Sequence, residues 1–116
     1  MSVDLSFLEQ FAAGDKAKMA KYISIFLKSA PAMLGNIVSK QADGDWDGLR
    51  TAAHALKPQI SYMGIKEMEH LIKTIEHNAG ERNDLDKLPT MVAELKTGVE
   101  EAFHILQTEL EKLNKG

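Results

Sequence analysis

The chain has no cysteine, which excludes a disulfide framework and a thiolate zinc site. It has no apolar run approaching the ~18 residues that a membrane-spanning helix needs. Its opening stretch, MSVDLSFLEQ, lacks the basic start and apolar core of a signal peptide, so a cytoplasmic address without a membrane is expected. An excess of one charge is also missing. The net charge is −3 and the lysines are scattered, so no nucleic-acid footprint is expected. There is no glycine-rich phosphate loop and no acidic cluster on strands to hold magnesium, so the chain is not expected to draw phosphate from ATP by itself. Finally, no stretch alternates apolar and polar residues long enough to read as a strand.

What is present is apolar spacing at helical period. At 116 residues the chain suits one domain, 1–116, with one hydrophobic core. A short first helix is expected over about 4–13, opened either by Asp4 with Val3 and Leu8 as a staple or by a Ser6–Glu9 capping box. The GD pair at 14–15 begins a second helix with Met19, Ile23, Phe26 and Leu27 inward. Ser29 before APAM reads as a break and a fresh cap, with Pro31 in a first turn. The stripe resumes as Leu34, Ile37 and Val38. After the loop ADGDWDG, Asp45 suits the cap of a helix carrying Leu49, Ala52, Ala53, Leu56, Ile60 and Met63, with Gly64 in the turn beyond. The next helix places Met68, Leu71, Ile72, Ile75 and Ala79 inward and ends at Gly80. The last opens with Asp86 as cap and Pro89 in its first turn, and runs through Leu88, Val92, Leu95, Val99, Ala102, Leu106, Leu110 and Leu113. Gly98 interrupts it, at about 1 kcal/mol relative to alanine. Four long amphipathic helices joined by short loops, plus a small N-terminal helix, predict an all-α antiparallel four-helix bundle.

Two patterns imitate metal sites. Asp43, Asp45, Asp47 and Gly48 match the start of a calcium loop, but its last ligand position holds His54 where a bidentate glutamate belongs. Glu67/His70 and Glu101/His104 repeat the E-x-x-H of di-iron bundles. That centre also needs a glutamate from each of the other two helices, and residues 15–43 and 45–63 contain none. A loop with a helix cap and surface histidines account for both patterns.

A third pattern, AAHALKPQISYMG at 52–64, survives that test. On a wheel centred on Leu49, Leu56 and Met63, His54 lies nearly opposite the core, and Arg50, Lys57, Pro58 and Ser61 share its outer face. An exposed imidazole is a nucleophile at neutral pH, and adjacent cations stabilise charge on an incoming phosphoryl group. A plain surface histidine remains the competing account at this point.

HALKPQISYMG resembles the motif of histidine-containing phosphotransfer (HPt) domains of two-component phosphorelay systems. That motif has a histidine, a lysine three residues on, small residues beyond, and a glycine ten residues after the histidine: here His54, Lys57, Ser61 and Gly64. DLSFLEQFAAGD, GDWDGLRTAAH and HLIKTIE extend the likeness over nearly the whole chain. The resemblance implies that His54 is the phosphoacceptor through Nε2, that Lys57 neutralises phosphoryl oxygens, and that Gly64 permits the tight exit from the active helix. It also implies that Glu76 orients the imidazole ring, with a boundary salt bridge as the other role open to it. Arg50 and Gln59 are further candidates for partner contact or phosphate bonding. The family usually has glycine where this chain has Pro58. Proline lacks an N–H and crowds the carbonyl of His54, so a bend of the axis there is expected, with Pro58 shaping partner choice.

The implied function is a relay intermediary. It would take a phosphoryl group from a receiver-domain aspartate, or from a sensor or hybrid histidine kinase, and pass it to another receiver. It would bind no cofactor, the partner receiver supplying Mg²⁺. The docking face would hold exposed apolar residues near His54, with Tyr62 as a candidate and Met63 reading rather as core. A monomer is expected. Two alternatives remain open: a non-catalytic helical module that docks receiver domains, and the phosphotransfer segment of a larger sensor kinase.

Overall fold

Two of the long helices begin where an aspartate satisfies free backbone N–H groups, and all four continue while their apolar stripes stay in register. The computed structural model describes residues 1–115. The elements are α1 (Ser6–Phe11), α2 (Lys16–Ala42), α3 (Trp46–Tyr62), α4 (Lys66–Glu81), a 3₁₀ turn (Leu85–Lys87) and α5 (Leu88–Lys115). No strand occurs among the described residues. Asp15 caps α2 by accepting the N–H groups of Ala17 and Lys18, and Asp45 caps α3 by accepting that of Gly48. Each such cap contributes about 1 kcal/mol.

Helices α2 to α5 pack in a ring, α2 on α3, α3 on α4, α4 on α5, and α5 back on α2. The core they enclose is aliphatic with one central aromatic: Ile23, Phe26, Ile37, Leu49, Leu56, Ile60, Ile72, Ile75, Leu95 and Leu106 are fully buried. Met63, read as core from the sequence, is buried as well. Phe103 meets Phe26 edge-on, their ring centroids 5.8 Å apart. At about 1.5 Å per residue, the longest helices account for most of the 47 Å length of the molecule.

Four expectations need correction. The break at Ser29 does not occur, because α2 is continuous through Pro31. Ser29 donates its hydroxyl to the Ile25 carbonyl instead of capping a new helix. Pro31 is exposed, whereas Phe26, Ala30, Leu34 and Ile37 are buried along one unbroken stripe. One missing N–H weighs less than that stripe.

The first helix is shorter than 4–13. Neither capping scheme forms as drawn, since Ser6 is the first helical residue and Asp4 Oδ1 accepts its backbone N–H. The fourth helix runs one residue past Gly80 to Glu81, and Arg82 makes the left-handed turn at φ +59°. Asp86 is not a cap. It lies inside the 3₁₀ turn, whose closing bond runs from the Lys87 N–H to the Asp84 carbonyl. Pro89 is in the first turn of α5, as expected.

Two glycines carry packing that the sequence did not disclose. Gly64 adopts φ +66°, and its Cβ position is taken by the backbone of Asp4. The chain before α1 therefore crosses directly over the α3–α4 turn. The Asp4 N–H donates to the Gly64 carbonyl at 3.0 Å, and Lys66 pairs with the Asp4 carboxylate at 2.9 Å. Lys66 and Ser6 hold that carboxylate well below the usual range. Gly98 is buried under Met68 and Met1, so its gap in the α5 stripe is filled from outside.

Candidate functional site

The register of α3 decides which residues reach solvent. With Leu49, Ala52, Ala53, Leu56 and Ile60 buried, positions 50 and 54 project outward, with 57, 58 and 61 at the boundary. The His54 side chain is 68 % exposed. On the neighbouring helix, Ile75 and Ala79 are buried and Glu76 stands at the edge of that face, 17 % exposed.

The two helices meet through this carboxylate. Glu76 Oε2 is 2.6 Å from His54 Nδ1, and Glu76 Oε1 accepts from Lys57 Nζ at 2.6 Å. Partial burial raises the Glu76 pKa, but the hydrogen bonds and charges of Lys57 and His54 outweigh it and hold the carboxyl below its ordinary value. Glu76 is therefore ionised at neutral pH and acts only as an acceptor. The proton shared with His54 must then belong to Nδ1. In the neutral ring this leaves the Nε2 lone pair free, on the atom farther from α4. One carboxylate thus fixes the tautomer of an exposed imidazole and holds an ammonium one turn away.

The remaining candidates separate into three places. Arg50 is exposed one turn before His54 and makes no hydrogen bond to His54 or Glu76 among the described residues. Gln59 is not beside the imidazole, because it lines an apolar cleft with Phe7, Phe11, Tyr22, Tyr62 and Met63. Pro58 and Ser61 are half-buried between these regions. Ser61 accepts the Gly64 N–H through its carbonyl as α3 ends. Gly64 is a packing residue, under the Asp4 backbone.

The structure also sets Tyr62, already a docking candidate, among residues that the sequence reading missed. Phe7, Phe11, Ile25 and Tyr62 are 49 %, 63 %, 49 % and 48 % exposed, and they adjoin one another. Phe7 stacks on Tyr62 with centroids 5.4 Å apart, and Phe11 meets Tyr22 edge-on at 5.4 Å. The cleft they border measures about 380 Å³. An exposed aromatic patch of this kind is a candidate interaction surface. Its signals in the sequence were Tyr62 near His54 and the i, i+4 spacing of Phe7 and Phe11.

The residues of the two imitation metal patterns are engaged elsewhere. Asp45 caps α3 and lies 3.4 Å from Lys40, while Asp47 pairs with Arg82 at 2.9 Å. Glu67 accepts from the Ser2 N–H and hydroxyl, and His70 and His104 are exposed. Among the described residues, no three histidine or carboxylate side chains converge on a point that would hold a metal ion.

A family model described as "Hpt domain" matches residues 21–114. None of the curated proteins matches the chain. Among solved structures, histidine-containing phosphotransfer protein B (HptB) from Pseudomonas aeruginosa PAO1 superposes with a TM-score of 0.85 at 19 % identity, over 95 % of each chain. At that identity the match speaks for the helical bundle itself.

Proposed function

The chain belongs to the Hpt domain family and is a histidine phosphotransfer intermediary of phosphorelay; we propose that His54 is the residue that carries the phosphoryl group. The observation that supports this most directly is the 2.6 Å contact between His54 Nδ1 and Glu76 Oε2, on a ring that is otherwise largely exposed.

The step balances without an acid or base from this chain. The Nε2 lone pair attacks phosphorus of an aspartyl phosphate on a receiver domain, in line with the acyl oxygen. The N–P bond forms, the P–O bond breaks, and the aspartate leaves with the electron pair as a carboxylate. The phosphorylated ring is then cationic, keeps its proton on Nδ1, and is stabilised by Glu76. Lys57 is one turn away, within reach of the transferred oxygens. The reverse path, onto a second receiver, uses the same groups. Catalysis of this kind is positioning together with electrostatic stabilisation. The Mg²⁺ that neutralises the developing charge comes from the receiver, and the chain acts as a monomer with no cofactor of its own. The other donor class is a sensor or hybrid histidine kinase.

The aromatic patch of Phe7, Phe11, Ile25 and Tyr62, on the α1–α3 side of His54, is the docking face for these partners. Such transient encounters bury a small area with apolar anchors near its centre. A receiver domain carrying phospho-aspartate tests the assignment. Phe11→Ser should weaken its docking about tenfold and leave the helical content unchanged. Equal docking by this variant would remove the patch from the interface. Docking without any transfer, in the presence of Mg²⁺, would favour the non-catalytic docking module.

A further inference from the structure

Gly80 is the penultimate residue of α4, and its missing side chain has a use. A Cβ at this position would stand 2.7 Å from Cδ of Arg50 and 3.6 Å from its Cγ. The Arg50 stem therefore lies across α4 in the slot that glycine leaves open. Glycine within a helix costs about 1 kcal/mol relative to alanine, and here that cost accompanies a seated arginine.

Arg50 precedes His54 by one turn on α3, and Gly80 follows Glu76 by one turn on α4. The Arg50–Gly80 contact is thus the next rung along the antiparallel α3–α4 groove from the His54–Glu76 contact, about 5.4 Å away. A cleft of about 320 Å³ opens here, lined also by Lys57, Lys73, Glu76, His77 and Glu81. Lys57 and Glu76 neutralise each other. Among the described residues, Arg50, Lys73 and Glu81 enter no ion pair. Two unpaired cations face one unpaired carboxylate, so the cleft carries surplus positive charge beside the reacting ring.

We propose that Arg50, held in the Gly80 slot, is a specificity-determining residue that pairs with a carboxylate side chain on the surface of the docking receiver. The occupant follows from charge complementarity: the cleft is open, positive and polar, and it lies across His54 from the aromatic patch. The docking surface then has an apolar half around Phe11 and Tyr62 and a charged half around Arg50, with His54 between them. Gly80 is the positioning residue for the charged half. A rim charge of this kind acts through encounter and register, and its effect is screened by salt. This proposal rests on the reading of His54 as the transfer site.

The test uses a receiver domain that docks to the wild-type protein, unphosphorylated for affinity and phosphorylated for transfer. Arg50→Glu should weaken docking about tenfold at low ionic strength. The difference should close at about 1 M salt, where charges are screened within about 3 Å. In transfer, KM should rise while kcat holds. Replacing the facing receiver carboxylate by lysine should restore docking to Arg50→Glu. Gly80→Ala improves helix propensity and so keeps the fold, yet its Cβ occupies the slot, and docking should weaken in the same sense with Arg50 intact. Wild-type affinity at low salt for both variants would overturn the proposal. So would a fall in kcat alone without rescue by charge reversal, because Arg50 would then be touching the phosphoryl group itself. Absence of phosphate on wild-type His54 is a different failure, that of the transfer site, and the docking isotherms still decide the role of Arg50.

Discussion

His54 Nδ1 lies 2.6 Å from Oε2 of Glu76, a residue twenty-two positions later in the sequence and on the next helix. Because that carboxyl is held ionised, it makes His54 a ring with its proton on the inner nitrogen and its lone pair on the outer one. On the proposed reading, reactivity at this site depends on a residue that need not touch phosphate.

Glu76→Gln tests that dependence. The amide can still accept one hydrogen bond, but it cannot neutralise Lys57 or stabilise a cationic phosphorylated ring. Transfer should slow by about one to two orders of magnitude, the range for losing a charge-assisted orienting bond. Nitrogen chemical shifts of the His54 ring should change from a single Nδ1–H tautomer toward a mixture. An unchanged tautomer with an unchanged rate would reduce Glu76 to a boundary ion-pair partner.

Acid should remove the same interaction. The folded-state pKa of Glu76 is lowered from the ordinary carboxyl value of 4.5. Its contribution to stability is therefore fully present above about pH 4.5 and is lost as pH falls through the lower folded-state value. Denaturation of the wild type and Glu76→Gln across that interval should show their stability difference shrinking as the solution becomes more acidic. A difference that widens toward acid would reverse the sign of the linkage.

Much of this site was legible in the sequence, for a specific reason. The apolar positions of α3 are so regularly spaced that Leu49, Leu56 and Ile60 fix its rotation, and the outward position of His54 follows without any knowledge of its neighbours. Glu76 was harder to read, because the helical wheel puts it only at the edge of the core face and its partners lie on another helix. The continuity of α2 was misread at Ser29 and Pro31. A local propensity rule outweighed a stripe whose value lies in tertiary burial, at Ala30 and Leu34 above all. Of the aromatic patch only Tyr62 and the spacing of Phe7 and Phe11 were legible, and the Arg50–Gly80 contact was not. Both depend on where one helix lies against another, and periodicity describes helices one at a time.

Gly64→Ala should be among the most damaging single substitutions. The new Cβ would meet the Asp4 backbone, and the residue sits at φ +66°. The two effects together should cost on the order of 2 to 3 kcal/mol. Alternatively, the segment before α1 should lift off the turn, which would displace Phe7 and Phe11. Chemical denaturation read together with docking to a receiver distinguishes the two routes. A variant as stable as the wild type with docking intact would contradict both.

Pro58→Ala should act in the opposite direction. Proline at 58 leaves the His54 carbonyl without its helical N–H partner and crowds it, within a helix that runs unbroken from Trp46 to Tyr62. Alanine restores the donor, so the denaturation midpoint should rise, by up to about 3 kcal/mol in stability. A destabilised Pro58→Ala would mean that the packing of α3 depends on the proline ring.

The most direct measurement is to locate the phosphate. The protein would be incubated with Mg²⁺ and a phosphorylated receiver domain, its mass recorded, and the modified residue mapped before and after acid treatment. The account expects one added phosphate, labile in acid and stable in alkali, on His54 and absent from His54→Gln, a variant that should remain folded because the side chain is 68 % exposed. Phosphate on another residue, or an equal yield in His54→Gln, would contradict it.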